Sequence, residues 1–289
     1  MRIKPWAAVA AAVPLAAGCV AGPAAPASAS IISSGTAAAP KVPFGTTAGW
    51  VVFDRKAGKI VATRNAHRKF RSASVVKIMI AIDYLESHAG VPAGDAALLK
   101  VMLRSSDDDA ASTFWDRDGK GAIIKRVARK LGLADTAPPP ASKPGFWGYT
   151  SLSAYDVVRT YRYLLDTADG RVRDTILGHL RASTPCGSDG FDQTFGIPSA
   201  VRAPWAVKQG WSGFGDVPAV KCVKKSANSG GALPGVPDYG RPVLHTTGLL
   251  GKDDRLIMAV LTAHPAGASW SSSVARITAL TRDLYRSVV

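Results

Sequence analysis

Glutamate is nearly missing from this chain. Of its 21 acidic residues only Glu86 is Glu and the rest are Asp, while Asn occurs only at Asn65 and Asn228. A site that needs a second Glu, or an Asn elsewhere, is therefore excluded. Cysteine is scarce as well, with three residues: Cys19, Cys186 and Cys222. The five His (His67, His88, His179, His245, His264) show neither His-x-His nor His-Glu-x-x-His spacing, and there is no Cys-x-x-Cys. No metal site and no cofactor are expected. The most apolar run, residues 6–21, is interrupted by Pro14 and is too short for a membrane span.

What is present suits a globular domain with a real core: 289 residues, 47% hydrophobic, 20% charged. The first residues carry Arg2 and Lys4 ahead of the apolar run, the layout of an export signal. Two processing sites compete. Ala27-Ser28-Ala29 fits signal-peptidase cleavage, giving residues 1–29 as a signal peptide. Ala16-Ala17-Gly18-Cys19 resembles a lipoprotein box, giving a signal that ends at residue 18 and a lipidated Cys19, although Leu15 lies one place early for that box. Either route predicts an exported protein, extracellular or anchored to the outer face of the membrane. Residues 30–44, rich in Ala, Ser, Gly and Pro, read as a flexible linker, and residues 45–289 as the folded domain.

Once Cys19 is assigned to the export segment, Cys186 and Cys222 remain as an even pair in an oxidising compartment, and a disulfide is predicted. The net charge of +15 raises the question of nucleic acid, but Lys and Arg are scattered along the chain without interleaved aromatics, which argues against it. An anionic wall polymer or membrane surface remains a candidate partner; the alternative is that a high-GC genome favours Arg and Asp and the charge serves only solubility. The expected oligomeric state is a monomer.

Periodicity predicts an order of elements. Residues 49–55 and 60–65 read as two strands joined by a Gly-containing turn. Residues 75–88, 92–103 and 123–133 read as helices, 138–149 as a long irregular loop, and 151–165 and 171–180 as helices again. Strands follow at 202–211, 241–250 and 255–264, then an amphipathic helix at 271–289. An antiparallel sheet would place the N-terminal hairpin beside the C-terminal strands, with the helical segment inserted as its own lobe and a crevice between them.

Ser74-Val75-Val76-Lys77 is the one place where a Ser is followed three residues later by Lys. At a helix start this spacing puts both side chains on one face, where an amine can take the serine proton and backbone N–H groups can hold an oxyanion. Ser106-Asp107-Asp108 follows about thirty residues on, and Lys208-Gln209-Gly210 lies on a predicted strand.

In order, spacing and setting these motifs resemble Ser-x-x-Lys, Ser-Asp-Asn and Lys-Thr-Gly of the serine β-lactamases and penicillin-binding proteins, class A β-lactamases above all. The resemblance extends from residue 49 to the last helix. It implies an α/β (α+β) fold: an antiparallel five-stranded sheet flanked by helices, with an inserted all-helical lobe. It further implies an acyl-enzyme at Ser74 formed with a β-lactam or peptide-like amide, from a small-molecule or peptidoglycan-like substrate. Lys77 would be the base, Ser106 a proton relay to the leaving nitrogen, and Lys208 its electrostatic support. Gly210 would leave room for substrate along the strand, and the backbone N–H groups of Ser74 and Trp211 would form the oxyanion hole.

Several positions depart from that pattern. Asp108 replaces Asn, cannot donate to a substrate carbonyl when ionised, and would pair with Lys77. Gln209 replaces the small hydroxyl residue that helps hold a β-lactam carboxylate, and Trp211 brings a large ring to the pocket rim. Class A enzymes deacylate with a Glu in a Glu-x-x-Leu-Asn loop, whereas the interval between the second and third motifs here has no Glu and no Asn. Residues 134–149 occupy that place, with Asp135 out of register and Phe146 and Trp147 read as loop anchors. Asp107 and Asp109 read as a solvated helix start, and His245 as a packed strand residue. Two readings follow: a serine hydrolase that deacylates slowly, or a non-catalytic wall or surface binding protein that retains the fold. Non-specific polyanion binding is a third.

Overall fold

A computed structural model describes residues 40–216, 218–222, 237–238 and 240–289. The expected signal segment, Cys19 and most of the expected linker lie outside the described residues. At the linker's end Val42 lies against the core and the Phe44 carbonyl accepts from Arg276 Nη1 at 3.0 Å, while the Phe44 side chain is exposed.

Among the described residues one antiparallel sheet holds five strands: β1 (Thr47–Asp54), β2 (Lys59–Arg64), β5 (Trp205–Ser212), β6 (Val243–Leu250) and β7 (Leu256–Ala263). Their order is β2-β1-β7-β6-β5, so the N-terminal hairpin joins the C-terminal strands and β5 forms one edge. β6 and β7 are buried along their whole length, as central strands covered on both faces must be. Alternate residues serve different layers. Val51, Phe53, Ile257 and Leu261 pack towards the helical lobe, whereas Trp50, Val52, Met258 and Val260 pack towards the C-terminal helix.

The inserted lobe contains α1 (Lys77–Ser87), α2 (Ala93–Arg104), α3 (Asp108–Arg117), α4 (Gly121–Leu131), α5 (Ala154–Asp166) and α6 (Gly170–Arg181). A short α7 (Ile197–Ala200) and the long α8 (Trp270–Arg286) complete the chain. Side chains cap the helix starts where the sequence permits: Asp107 accepts from Ala110, Ser153 from Asp156, Asp169 from Arg171 and Ser269 from Ser272. Gly132, with φ 65°, closes α4 in the left-handed conformation.

Three features differ from the expected elements. Residues 108–117 form α3, an extra helix started by the Asp107 cap within an acidic run. The expected long strand at 202–211 begins only at Trp205. A second, two-stranded sheet pairs β3 (Phe70–Arg71) with β4 (Ser151–Leu152), elements too short to leave a periodic pattern. This small sheet fixes the nucleophile turn against the loop that precedes α5. Ser72 N donates to Thr150 O at 2.7 Å, and Ser72 Oγ to Gly148 O at 3.3 Å.

Candidate active site

Ser74 lies in a single 3₁₀ turn (Ala73–Val76) that leads directly into α1. In 3₁₀ geometry residues three apart eclipse one another, so Lys77 is brought onto Ser74 and its Nζ lies 2.9 Å from Oγ. Ala73, immediately before the nucleophile, has φ 43°, and Ser106 has φ 59°. Both are unfavourable for residues with a Cβ, and such strain persists only where the surrounding packing holds it.

Lys77 is fully buried. Its amine donates to Ser74 Oγ, to Ser106 O at 2.6 Å and to Asp108 Oδ1 at 2.5 Å. With Ser106 Oγ at 3.4 Å these make four acceptors around the three protons of an ammonium, the last being the longest contact. Asp108 reaches the amine from the first residue of α3, beside its capping neighbour Asp107, and its side chain remains 65% exposed. Asp109 is exposed, as expected. The ring of Trp147 covers Lys77 from the loop side, with Nζ 4.5 Å from the ring centroid, and Trp147 Nε1 donates to Ser112 Oγ. Trp147, read from sequence as a loop anchor, is therefore a wall of the site as well.

Ser106 Oγ joins the two lysines, lying 3.4 Å from Lys77 Nζ and 2.8 Å from Lys208 Nζ. Lys208 is fully buried, and burial, reinforced by the charge of Lys77, pushes its amine well below the ordinary lysine range. Ser74, Lys77, Ser106 and Lys208, assigned separately from three motifs, thus form one connected hydrogen-bonded chain.

Gly210 also has a structural reason of its own. A Cβ there would lie 3.1 Å from Ser72 O, 3.1 Å from Val75 Cγ2 and 3.3 Å from Ser74 N. The bare backbone lets the sheet edge approach the nucleophile turn closely. Gln209 is not brought into the cleft. Strand alternation turns it away from Ser106, its amide donates to Phe195 O, and it is 1% exposed. Its Oε1 has no hydrogen-bond partner among the described residues. The expected role of Gln209 in holding substrate is therefore corrected. Trp211, on the same strand face as Gln209, is partly exposed; its ring lies among Phe191, Phe195 and Trp270, and its Nε1 donates to Asp189 Oδ2 at 2.8 Å.

Asp189 carries no motif, and the sequence gives only a turn signal, Gly187-Ser188-Asp189-Gly190. Two contacts bring its loop to the cleft: Ser188 N donates to Ser105 O, next to Ser106, and the Cys186–Cys222 disulfide braces the loop from behind. Burial raises the proton affinity of the Asp189 carboxyl above the usual carboxylate value, and Phe191 N–H and Trp211 Nε1–H oppose that rise. Asp135 lies elsewhere, bound to His67 Nδ1 and Ser153 Oγ, each at 2.8 Å. His245 is fully buried, between Arg71 O at Nε2 and Thr262 N–H at Nδ1. Among the described residues no three His, Cys, Asp or Glu side chains converge as a metal site would require.

No protein-family model matches the chain. The protein named "Putative lipoprotein LppW" from Mycobacterium tuberculosis is 36% identical over 250 residues, covering 83% of this chain and 70% of the relative, and its Mycobacterium bovis counterpart matches equally. Among solved structures, a class A β-lactamase from Mycobacterium abscessus superposes with a TM-score of 0.60 at 21% identity, covering 84% of this chain and 94% of that one. Penicillin-binding protein PBP-A gives 0.60 at 15% identity (84% and 90%). A β-lactamase from Burkholderia vietnamiensis gives 0.61 at 16% identity (84% and 91%). The fold is that of the serine β-lactamases and penicillin-binding proteins.

Proposed function

This chain belongs to the family of the LppW proteins, and from the contents of its cleft we propose that it is a serine acyl-enzyme hydrolase acting on a β-lactam or peptide-like amide. The observation that carries this reading is the continuous chain from Ser74 Oγ through Lys77 Nζ and Ser106 Oγ to Lys208 Nζ, with steps of 2.9, 3.4 and 2.8 Å.

In the proposed reaction Ser74 Oγ attacks the acyl carbon. Its proton passes to Lys77, which first gives one of its own along Ser106 towards Lys208, the amine that burial drives towards its neutral form. Ser106 then delivers its proton to the leaving nitrogen as the C–N bond breaks and recovers one from Lys208, leaving the acyl group on Ser74 as an ester. The backbone N–H groups of Ser74 and Trp211 would receive the oxyanion, on the two elements that Gly210 allows into contact. Deacylation is slow in this reading. The interval between Asp108 and Lys208 has no Glu, Asp135 is engaged by His67 and Ser153, and Trp147 covers Lys77.

One observation favours a second reading, a non-catalytic binding protein: Asp108 and two other acceptors occupy all three protons of Lys77. Labelling Ser74 with a panel of β-lactams and activated acyl-peptides separates the two. A covalent adduct that is lost in Ser74→Ala supports the hydrolase, and no adduct with any probe supports the binding protein.

The name of the relatives supports the lipoprotein route of export, with Cys19 as the lipidated residue and the domain held at the outer face of the membrane. No helix among the described residues is long and apolar enough to cross a membrane. The mass of the N-terminal peptide from the mature protein would distinguish a lipidated Cys19 from cleavage after Ala29.

A further inference from the structure

Asp189 sits where both walls of the cleft meet. Its loop is tied to the helical lobe through Ser188 N–Ser105 O at 2.8 Å, and its carboxylate is tied to the sheet edge through Trp211 Nε1 at 2.8 Å. The loop is also held from behind: Cys222 N donates to Gly190 O at 2.8 Å, and the Cys186–Cys222 disulfide adjoins that contact. Such bracing fixes the carboxylate in place before any ligand arrives.

Among the described residues no charged group donates a hydrogen bond to Asp189. Its donors there are neutral, the indole N–H of Trp211 on Oδ2 and the Phe191 N–H on Oδ1 at 3.1 Å, so each oxygen keeps a lone pair for a further donor. Neither nearby lysine donates a hydrogen bond to it among the described residues. Lys77 is engaged by Ser74, Ser106 and Asp108, and Lys208 is driven towards its neutral form inside the wall. The charges of Asp108 and Lys77 both act on Asp189, so it shares their field. Among the described residues, then, the Asp189 carboxylate has no cation hydrogen-bonded to it, and Asp108, the other carboxylate here, is already paired with Lys77. The edge of the partly exposed Trp211 indole meets Asp189 through Nε1–H, so an organic cation held by that carboxylate would lie beside the ring.

We propose that Asp189, framed by the Trp211 ring, binds a primary ammonium group on the ligand, so that the cleft selects amine-bearing over carboxylate-bearing acyl donors. This rests on the reading that the cleft between Ser74 and β5 receives the acyl donor. A β-lactam or peptide carboxylate placed near Lys208 would meet the repulsion of Asp189, so simple penicillins would be poor ligands.

The test is equilibrium binding of benzylamine and benzoate, matched in shape and opposite in charge, to the full chain. Tryptophan fluorescence reports it, with chemical-shift mapping as a second readout. Benzylamine is expected to bind more tightly by about tenfold, the preference weakening with salt. Asp189→Asn, which retains an acceptor for Trp211 Nε1, is expected to bring the two ligands to within about twofold of each other. Asp189→Ser, which likewise removes the charge, is expected to lose the preference in the same way, and it serves if Asp189→Asn does not fold. Equal or tighter benzoate binding, saturable binding of neither ligand, or a preference unchanged in Asp189→Asn would overturn the proposal. None of these readouts uses Ser74. Amine binding without acylation would therefore refute the hydrolase and leave the subsite standing, and acylation without charge preference would do the reverse.

Discussion

Asp108 Oδ1 and Lys77 Nζ are 2.5 Å apart, an ion pair between a fully buried amine and a carboxylate whose side chain is 65% exposed. The carboxylate engages Nζ directly, whereas proton abstraction from Ser74 needs a free lone pair on that nitrogen. Asp108→Asn keeps an acceptor near Nζ, removes the charge, and supplies the amide donor that the Ser-Asp-Asn pattern offers a substrate carbonyl. Acylation of Ser74 is expected to rise by about tenfold, corresponding to ~1.4 kcal/mol in the barrier. Stopped-flow or timed mass measurement of adduct formation checks this, and an unchanged rate would favour the binding protein.

Trp147 lies over the same amine at 4.5 Å. Trp147→Ala removes a ring that shields Lys77 and admits water to the face of Ser74 that the loop covers. A shorter acyl-enzyme lifetime is expected, together with a stability loss of roughly 1–3 kcal/mol, below the cost of deleting a fully buried Trp because the ring is partly exposed. The decay of the adduct after removal of excess probe measures the first effect, and urea unfolding the second.

Gly210→Ala should reduce acylation without unfolding the protein. The added Cβ would press within 3.1 Å of Ser72 O and 3.3 Å of Ser74 N, closer than ordinary van der Waals contact, so the sheet edge or the nucleophile turn must shift. A shift of a few tenths of an ångström at the oxyanion donors is expected to cost about tenfold or more in acylation rate. Circular dichroism should remain unchanged.

Two buried histidines set the response to acid. Burial pushes His245 and His264 from 6.5 down to about 4 each. As pH falls below 6.5 the unfolded chain takes up protons that the folded chain refuses, so stability is intact above 6.5 and declines between 6.5 and 4. The full loss is on the order of 3 kcal/mol per residue. Urea midpoints measured from pH 7 to pH 4.5 should fall steadily, and His245→Gln should flatten part of that slope.

The Cys186–Cys222 bridge spans 36 residues of sequence. Reduction, or a double change to Ser, is expected to cost roughly 2–4 kcal/mol through the entropy of the unfolded chain. It should also loosen the loop that carries Asp189, which would appear as faster amide exchange at Gly190 and Phe191. Unfolding in the presence and absence of a reductant gives the stability term.

Much of this was legible in the sequence because it repeats or is chemically rare. The apolar runs of β6 and β7, the hairpin of β1 and β2, and the helices α1, α2 and α4 announce themselves by period. Ser74, Lys77, Ser106 and Lys208 stand out by spacing. The remainder depends on tertiary contact. No local pattern says that Trp147 will cover Lys77, since a loop aromatic is equally suited to anchoring its own turn. Asp189 sits in an unremarkable Gly-Ser-Asp-Gly turn and gains its place only through Ser105, Trp211 and the disulfide. Gln209 was misplaced because motif position implied the cleft, whereas strand alternation sends its side chain to the opposite face. The scarcity of Glu proved informative in a way the net charge did not, because it bears directly on how an acyl-enzyme could be released.

The most direct measurement is a time course of intact mass for the full chain with one reactive acyl donor, read beside Ser74→Ala. The expected result is one adduct per chain, located to Ser74 by peptide mapping, absent from Ser74→Ala, and persisting long after excess donor is removed. Absence of an adduct across the β-lactam and acyl-peptide panel would contradict a nucleophilic Ser74, and an adduct that turns over as fast as it forms would contradict slow deacylation.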